Sequence, residues 1–184
     1  MNKLIIIVVL IIVAIAVYWY ISSPTKVVTP TTTGPNANST VVPVPAGTMV
    51  QFVRITKDAS KLLLDEKALS LAEVQVFSNG VNVAGKGTAS QVSTAYGGDA
   101  SRAIDGNTDG QYWDQSVSHT GNVDDEWWEV NLGHEYPVDK VVIWNRTDCC
   151  TNRLNGAKVL LNNADGETVK SYVLTGAREQ TFTV

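Results

Sequence analysis

The sequence predicts an all-β protein folded as an antiparallel β-sandwich, and two features carry this prediction. Short apolar segments alternate with turn signals from Thr48 onward. No stretch shows the apolar spacing of an amphipathic helix of three turns. Many short strands with frequent turns are typical of two packed antiparallel sheets.

Seven segments are predicted to be strands because they combine β-branched and aromatic residues with alternating or continuous apolar patterns. They are residues 50–55, 69–77, 127–132, 138–145, 158–161, 169–174 and 180–184. Turn signals of the Asn-Gly and Asp-Gly type, as in Ser78-Asn79-Gly80 and Ala164-Asp165-Gly166, separate several of them.

The N-terminal region predicts a membrane anchor. After a short tail of residues 1–3, residues 4–21 form an uncharged run of 18 residues. As a helix this run would span most of a ~30 Å hydrocarbon core. It closes with Tyr18, Trp19 and Tyr20, whose rings favour the membrane interface. The alternative is a cleaved signal peptide, which should have a shorter apolar core and end in small residues.

Residues 22–47 are rich in Pro and Thr and predict an extended stalk, with a glycosylation sequon at Asn38. Such a stalk places the following domain, residues 48–184, outside a cell or on a virion surface. The whole chain has a formal net charge of −4 and contains no block of Lys and Arg residues. This balance argues against nucleic acid as a partner.

The candidate ligand site is a spaced set of polar residues with the pattern H-x26-R-x-D-x4-R. Its members are His119, Arg146, Asp148 and Arg153. Arginine offers a rigid fork of donors and histidine can donate or accept, so the set suits a hydroxyl-rich, uncharged ligand. Asp148 lies two residues from Arg146, and in an extended segment both would point to one face. The adjacent Cys149 and Cys150 lie inside the pattern; their Cα atoms are too close for an ordinary disulfide, and two free thiols are the simpler interpretation.

This pattern resembles the sugar-binding motif of the F-type (fucose-binding) lectins. The resemblance implies that His119, Arg146 and Arg153 hydrogen-bond fucose hydroxyls and the ring oxygen. It implies that Asp148 pairs with an arginine and orients it, and that Cys149 and Cys150 form a vicinal disulfide. Tyr112 and Trp113 would pack on the sugar methyl group, although packing within the loop is the alternative.

Two core segments support the same resemblance. Trp127–Gly133 and Val138–Ile143 resemble strands of discoidin-like, galactose-binding-like jelly rolls. One of Trp127 and Trp128 is expected in the core and the other at the rim.

The order of segments departs from the family. A closing strand of the form L-x-L-x-E-V-x-V is expected last, but residues 69–76 carry it near the start. Residues 48–77 are therefore either the tail of a lost preceding domain or the closing strands of a circularly permuted one. We favour permutation, because an unclosed sandwich would expose apolar edges.

A calcium site is also predicted. Residues 105–110 resemble the start of an EF-hand loop, but the twelfth position is Ser116 and not the required Glu. The lectin resemblance implies instead a Ca²⁺ ion held mainly by loop oxygens. Its predicted ligands are the carbonyl groups of Arg102, Asn107 and Ala72, the carboxylates of Asp105 and Glu73, and Ser116. A metal-free turn is the alternative.

The sequence therefore favours a membrane-anchored, calcium-stabilised lectin for terminal L-fucose, which would gain adhesion from many copies or from homo-oligomers. The alternative is a discoidin-like adhesion module for a protein, a lipid or another sugar; no apolar spike or basic rim is evident for lipid. An enzyme is not expected, because Asp124, Asp125 and Glu126 are interpreted as a solvated acidic loop. His134 is interpreted as an exposed turn residue, and a glycan on the Asn145 sequon would crowd the site.

Overall fold

The computed structural model describes residues 47–184. The predicted tail, anchor, stalk and Asn38 sequon lie outside the described residues. Within 47–184, no helix is both long enough and apolar enough to cross a membrane.

Two five-stranded antiparallel sheets form the domain. The first sheet has the spatial order β4-β6-β1-β8-β9. Its strands are β1 (Thr48–Asp58), β4 (Thr88–Gln91), β6 (Asp125–Val138), β8 (Lys158–Asn162) and β9 (Thr168–Val173). The second has the order β10-β7-β2-β3, with β5 also paired to β2. Its strands are β2 (Ser70–Ser78), β3 (Val81–Asn82), β5 (Ser118–His119), β7 (Lys140–Asn145) and β10 (Glu179–Thr183).

Within residues 47–184 the helical segments are short. One α-helical turn, α1, covers Leu64–Lys67. Four 3₁₀ helices lie in the connections: η1 (Ala84–Lys86), η2 (Ala100–Ile104), η3 (Tyr112–Asp114) and η4 (Thr151–Leu154). The predicted all-β, galactose-binding-like class is confirmed.

The core lies between the sheets and follows the alternation of the strands. On β1, Val53 and Ile55 are fully buried, whereas Arg54 points to the outer face. On β6, Trp128 is fully buried and its indole nitrogen donates to the Ala100 carbonyl oxygen at 3.0 Å. Trp127 faces outward, with the Arg54 guanidinium 4.2 Å from its ring centroid, so the prediction of one core and one rim tryptophan is confirmed.

All seven predicted strands are present, with ends that differ by a few residues. The three strands that the sequence analysis missed, β3, β4 and β5, have two to four residues each, too few to show a period. Two further expectations were wrong. His134 is exposed but lies within β6, and Glu126 is fully buried at the start of β6, because it faces the interior while Asp124 and Asp125 face solvent.

The first two strands are integral to the sandwich. β1 is hydrogen-bonded between β6 and β8, with Ile55 opposite Trp128 on one side and Val159 on the other. β2 pairs with β7 along most of its length. Residues 48–78 therefore supply a central strand to each sheet and are not the tail of a lost domain.

We expect a variant lacking residues 48–77 to lose cooperative unfolding, because it would expose the apolar faces of β6, β7 and β8. Thermal unfolding followed by near-ultraviolet circular dichroism checks this. A soluble remainder that melts cooperatively would show that the two strands are dispensable.

Candidate functional site

The motif residues converge at one end of the sandwich because the start of β2 is paired on both sides. Ser70 pairs with His119 of β5, and Leu71 pairs with Asn145 at the end of β7. His119 and Arg146, which directly follows β7, thereby flank the same strand. Arg153 joins them from η4.

Arg146 is held by two contacts. Its Nε and Nη2 atoms donate to the two carboxylate oxygens of Asp148 at 2.6 and 2.7 Å. Its guanidinium also lies 4.5 Å from the ring centroid of Tyr112. The Arg146 hydrogen bonds hold the pKa of Asp148 below its usual value. This bidentate pair is the arrangement expected from the spacing, and it fixes the guanidinium plane.

His119 is held as a neutral imidazole with a defined tautomer. Its Nε2 atom lies 3.1 Å from Nη1 of Arg153, and its Nδ1 atom lies 2.5 Å from the carbonyl oxygen of Thr120. Arginine can only donate and a carbonyl can only accept, so Nδ1 carries the proton and Nε2 accepts. Burial lowers the pKa of His119, and the charges of Arg153 and Arg146 lower it further.

The motif opens into a cleft of about 520 Å³, a volume ordinary for a small-molecule site. It is lined by Tyr96, Tyr112, Trp113, His119, Arg146, Cys149 and Arg153. A second cleft of about 410 Å³, at the ends of β1 and β6, contains no motif residue.

Aromatic rings form one side of the site cleft. Trp113 is 82% exposed and Tyr96 is 83% exposed, whereas Tyr112 is buried and its hydroxyl donates to the Tyr96 carbonyl oxygen. The ring of Tyr96 meets His119 edge-on, with centroids 5.4 Å apart. Sequence reasoning missed Tyr96, because it lies in a loop with positive φ and carries no periodic signal.

The two cysteines are joined as a vicinal disulfide. Cys149 lines the cleft and Cys150, with positive φ, precedes η4. The Asn145 sequon next to them is not accessible. Asn145 is buried and its amide nitrogen donates to the carbonyl oxygens of Thr151 and Gly176, so a glycan does not fit there.

The predicted calcium ligands occupy neighbouring segments. Asp105 and Asn107 accept hydrogen bonds from backbone amides two residues further on, which tightens their loop. Glu73 reaches this loop from β2, where its Oε2 accepts from the Gly106 amide at 3.3 Å. Ala72 lies at a bulge of β2.

Arg102 and Ser116 complete the predicted set, on η2 and before β5. Ser116 is buried and donates to the Gln111 carbonyl oxygen. Within residues 47–184, no group of three or more His, Cys, Asp or Glu side chains could hold a metal by itself. A cation here would depend on the two carboxylates together with carbonyl oxygens.

Glu73 is the observation that bears on a cation. It is fully buried, and its Oε1 atom has no hydrogen-bond partner within the described part of the chain. Burial raises its pKa to about 7, and the nearby Asp105 charge adds to this against the Gly106 hydrogen bond. A buried carboxylate oxygen without a partner is costly, and a hard cation would satisfy it. The residues present therefore fit a calcium ion.

One surface feature differs from the sequence analysis, which found no apolar spike. The loop around α1 exposes Leu62, Leu63 and Leu64, with Leu63 at 70% and Leu64 at 66%. Three consecutive exposed leucines form such a spike.

The fold and the site define a galactose-binding-like β-sandwich with a polar and aromatic ligand cleft at its loop end. Residues 102–184 match the family model described as a NedA-like, galactose-binding domain. The solved structure of a Streptococcus pneumoniae fucose binding module is 34% identical, with a TM-score of 0.54, covering 58% of this chain and 78% of that one. The lectin domain of lectinolysin complexed with Lewis B antigen is 41% identical with a TM-score of 0.54, covering 56% and 77%.

Two curated relatives are described as fucolectins, in agreement with these solved structures. Fucolectin-6 of Anguilla japonica is 38% identical over 112 residues, covering 55% of this chain and 59% of that protein. Fucolectin-5 of the same species is 43% identical over 88 residues, covering 45% and 47%. The chain thus spans about half the length of the curated relatives it matches. It belongs to the F-type lectin family.

We expect His119 to make folding stability depend on pH. The unfolded imidazole binds a proton near pH 6.5, whereas the folded one does so only at lower pH. Stability should therefore fall as the pH drops below about 6.5, because the unfolded state then binds more protons. Denaturant unfolding of the wild type and His119→Gln between about pH 5 and 7.5 measures this.

The difference between the two proteins isolates His119, because Glu73 and Glu126, whose pKa values are raised by burial, are common to both. His134→Gln is the control and should keep the wild-type dependence. Equal dependence in His119→Gln and the wild type would contradict the neutral imidazole.

Proposed function

We propose that this chain is a lectin that binds terminal L-fucose on glycans. The observation that carries the proposal is the convergence of His119, Arg146 and Arg153 in one aromatic cleft. Relatives described as a fucose binding module and as a lectin domain complexed with Lewis B antigen support it. No catalytic role is proposed for these residues.

The polar side of the cleft suits vicinal hydroxyls. Arg146 presents a fork whose orientation Asp148 already fixes, so little conformational entropy is lost on binding. The single lone pair of the neutral His119 Nε2 accepts from Arg153 Nη1, so a sugar hydroxyl that donates to the imidazole would take the place of this contact. The same hydroxyl would then accept from the released Arg153 guanidinium.

The apolar side suits a deoxy sugar. Trp113 and Tyr112 offer ring surface for a methyl group, and the disulfide sulfurs offer a flat, polarizable surface beside Cys149. The ligand would thus lie between charged donors and apolar walls, and specificity for fucose would come from both.

Calcium is the second element of the proposal. Glu73 and Asp105 would supply the carboxylates, with oxygen atoms of Arg102, Asn107, Ala72 and Ser116 completing the set. The ion would supply charge compensation and tie β2 to the loop that precedes η3. The ion would affect sugar binding only indirectly, by fixing the positions of β2 and of this loop.

Presentation at a surface is the third element. The apolar run of residues 4–21 and the stalk of residues 22–47 support an anchored domain that binds glycans through many copies. Fractionation of membranes that carry the full chain tests the anchor.

We also propose that the domain is circularly permuted relative to its family. Its second strand carries the family's closing pattern, and its first two strands occupy sheet centres.

A second candidate function rests on the exposed leucines of residues 62–64. They favour a discoidin-like adhesion module that contacts a protein or lipid through this loop. That function would not need the arginine cleft, so loss of cleft residues distinguishes the two.

We expect Arg146→Ala to weaken L-fucose binding about 100-fold or more, because it removes charge-assisted hydrogen bonds and leaves Asp148 unpaired. Isothermal titration calorimetry of residues 47–184 with calcium measures this. Arg178→Ala, at an exposed position before β10, is the matched control and should bind as the wild type does. Undiminished binding by Arg146→Ala would place the sugar elsewhere. Absence of heat from the folded wild type at millimolar fucose would favour the adhesion alternative.

We expect calcium to raise the melting temperature, since a ligand of the folded state at 100 times its Kd stabilises by about 2.7 kcal/mol. Glu73→Gln should lose this response, whereas Asp165→Asn, in an exposed turn, should keep it. Differential scanning fluorimetry with calcium, magnesium or chelator gives the comparison. Equal melting of the wild type with calcium and with chelator would contradict the site.

A further inference from the structure

A buried lysine lies beneath the sugar site and belongs to no motif. Lys57, near the end of β1, is only 5% exposed. Its partner across the sheet is Glu126 of β6. Lysine is almost never buried to this extent unless its charge is compensated.

The ammonium group of Lys57 is committed to three carbonyl oxygens. It donates to Glu66 at 2.6 Å, to Arg153 at 2.8 Å and to Ala68 at 3.4 Å. Glu66 and Ala68 lie at the end of α1, and Arg153 lies on η4. One side chain therefore links β1 both to the connection that follows it and to η4, where Arg153 lies 96 residues further along the chain.

The link to Arg153 reaches the ligand cleft. The carbonyl group of Arg153 accepts from Lys57, while the guanidinium of the same residue contacts His119 Nε2 at 3.1 Å. A short hydrogen-bonded chain thus runs from a buried strand residue to the imidazole. The side chains of Asn152 and Glu66 join the same connections at 3.3 Å, but that contact is exposed.

We propose that Lys57 is a positioning residue for the sugar site, whose ammonium fixes the backbone of η4 so that Arg153 meets His119. This inference rests on the proposed function. It assigns to β1 a role in ligand binding although no β1 residue lines the cleft.

The buried charge of Lys57 contributes to stability as well as to site geometry. Burial lowers the pKa of Lys57 to about 8 and the Arg153 charge adds to this, whereas Glu126 and Glu66 oppose it. Removing the ammonium group alone leaves its three carbonyl partners and the buried Glu126 without compensation, which costs stability. A loss of stability therefore does not identify the positioning role, and a readout at the ligand cleft itself is needed.

The experiment compares Lys57→Met with Lys67→Met. Lys67 lies on α1 and pairs with Asp124, so its replacement removes a lysine from the same region but leaves Arg153 untouched. We expect Lys57→Met to weaken L-fucose binding about three- to tenfold. A displaced Arg153 would lose at most one charge-assisted hydrogen bond to the sugar. The melting temperature of Lys57→Met should fall, because the carbonyl partners of Lys57 lose their donor, and Lys67→Met should bind as the wild type does.

A measurement without sugar keeps the inference separate from the proposed function. The ¹⁵N resonance of His119 Nε2 reports the hydrogen bond from Arg153, and it should shift in Lys57→Met but not in Lys67→Met. A shift in Lys57→Met together with a wild type that binds no fucose would overturn the proposed function and leave the positioning role standing. An unchanged resonance and unchanged affinity in folded Lys57→Met would overturn the positioning role.

The wild type provides the test if Lys57→Met does not fold. Between about pH 7 and 9, folded Lys57 loses its proton and with it one of three donors. The titration of Lys57 does not lower the free energy of unfolding over this pH range. The unfolded lysine, with its pKa of 10.5, holds more protons than the folded one, so stability does not decrease as the pH rises. The charged groups facing it are Glu66, Glu126 and Arg153. The fucose affinity of the wild type should fall about three- to tenfold between these pH values. A constant affinity would overturn the inference.

Discussion

The site depends on the double pairing of β2. Its first two residues contact β5 on one side and the end of β7 on the other, so His119 and Arg146 are placed by backbone hydrogen bonds. The 26 residues between them in sequence are bridged by a strand that precedes both. Because strand register is fixed by burial of one face, a slip of one residue would move the core residues to solvent. The positions of His119 and Arg146 are thus tied to the register of the core strands.

Electrostatics at this end of the domain follow from burial. Three positive groups would repel each other in a desolvated cleft. The repulsion is reduced in two ways: Asp148 neutralises Arg146, and His119 stays uncharged between the Thr120 carbonyl group and the Arg153 guanidinium. The charges of the ligand cleft are therefore balanced internally. The buried Glu73 of β2, in contrast, keeps an oxygen atom without a hydrogen-bond partner among residues 47–184, and a cation would satisfy it.

Much of this arrangement could be predicted from the sequence, because spacing and periodicity report local constraints. The strands longer than four residues and the four motif residues gave such signals. Glu126 did not, because it continues an acidic run, and only the register with β1 shows that it faces the interior. Tyr96 and Lys57 gave no signal for the same physical reason. Their environments are made by segments distant in sequence, and a loop tyrosine or a lysine near a strand end is ordinarily solvated.

Residues 48–78, which contain β1 and β2, contribute to the site in three independent ways. β2 positions the imidazole and the first arginine, Glu73 reaches the candidate cation loop, and Lys57 holds the backbone of the second arginine. None of these residues belongs to the sugar motif, which begins 41 residues after the end of β2. Each of these contacts depends on the position of the strands in space and not on their order in the chain. The motif therefore indicates the kind of ligand, while residues 48–78 hold the motif side chains in the positions that binding requires.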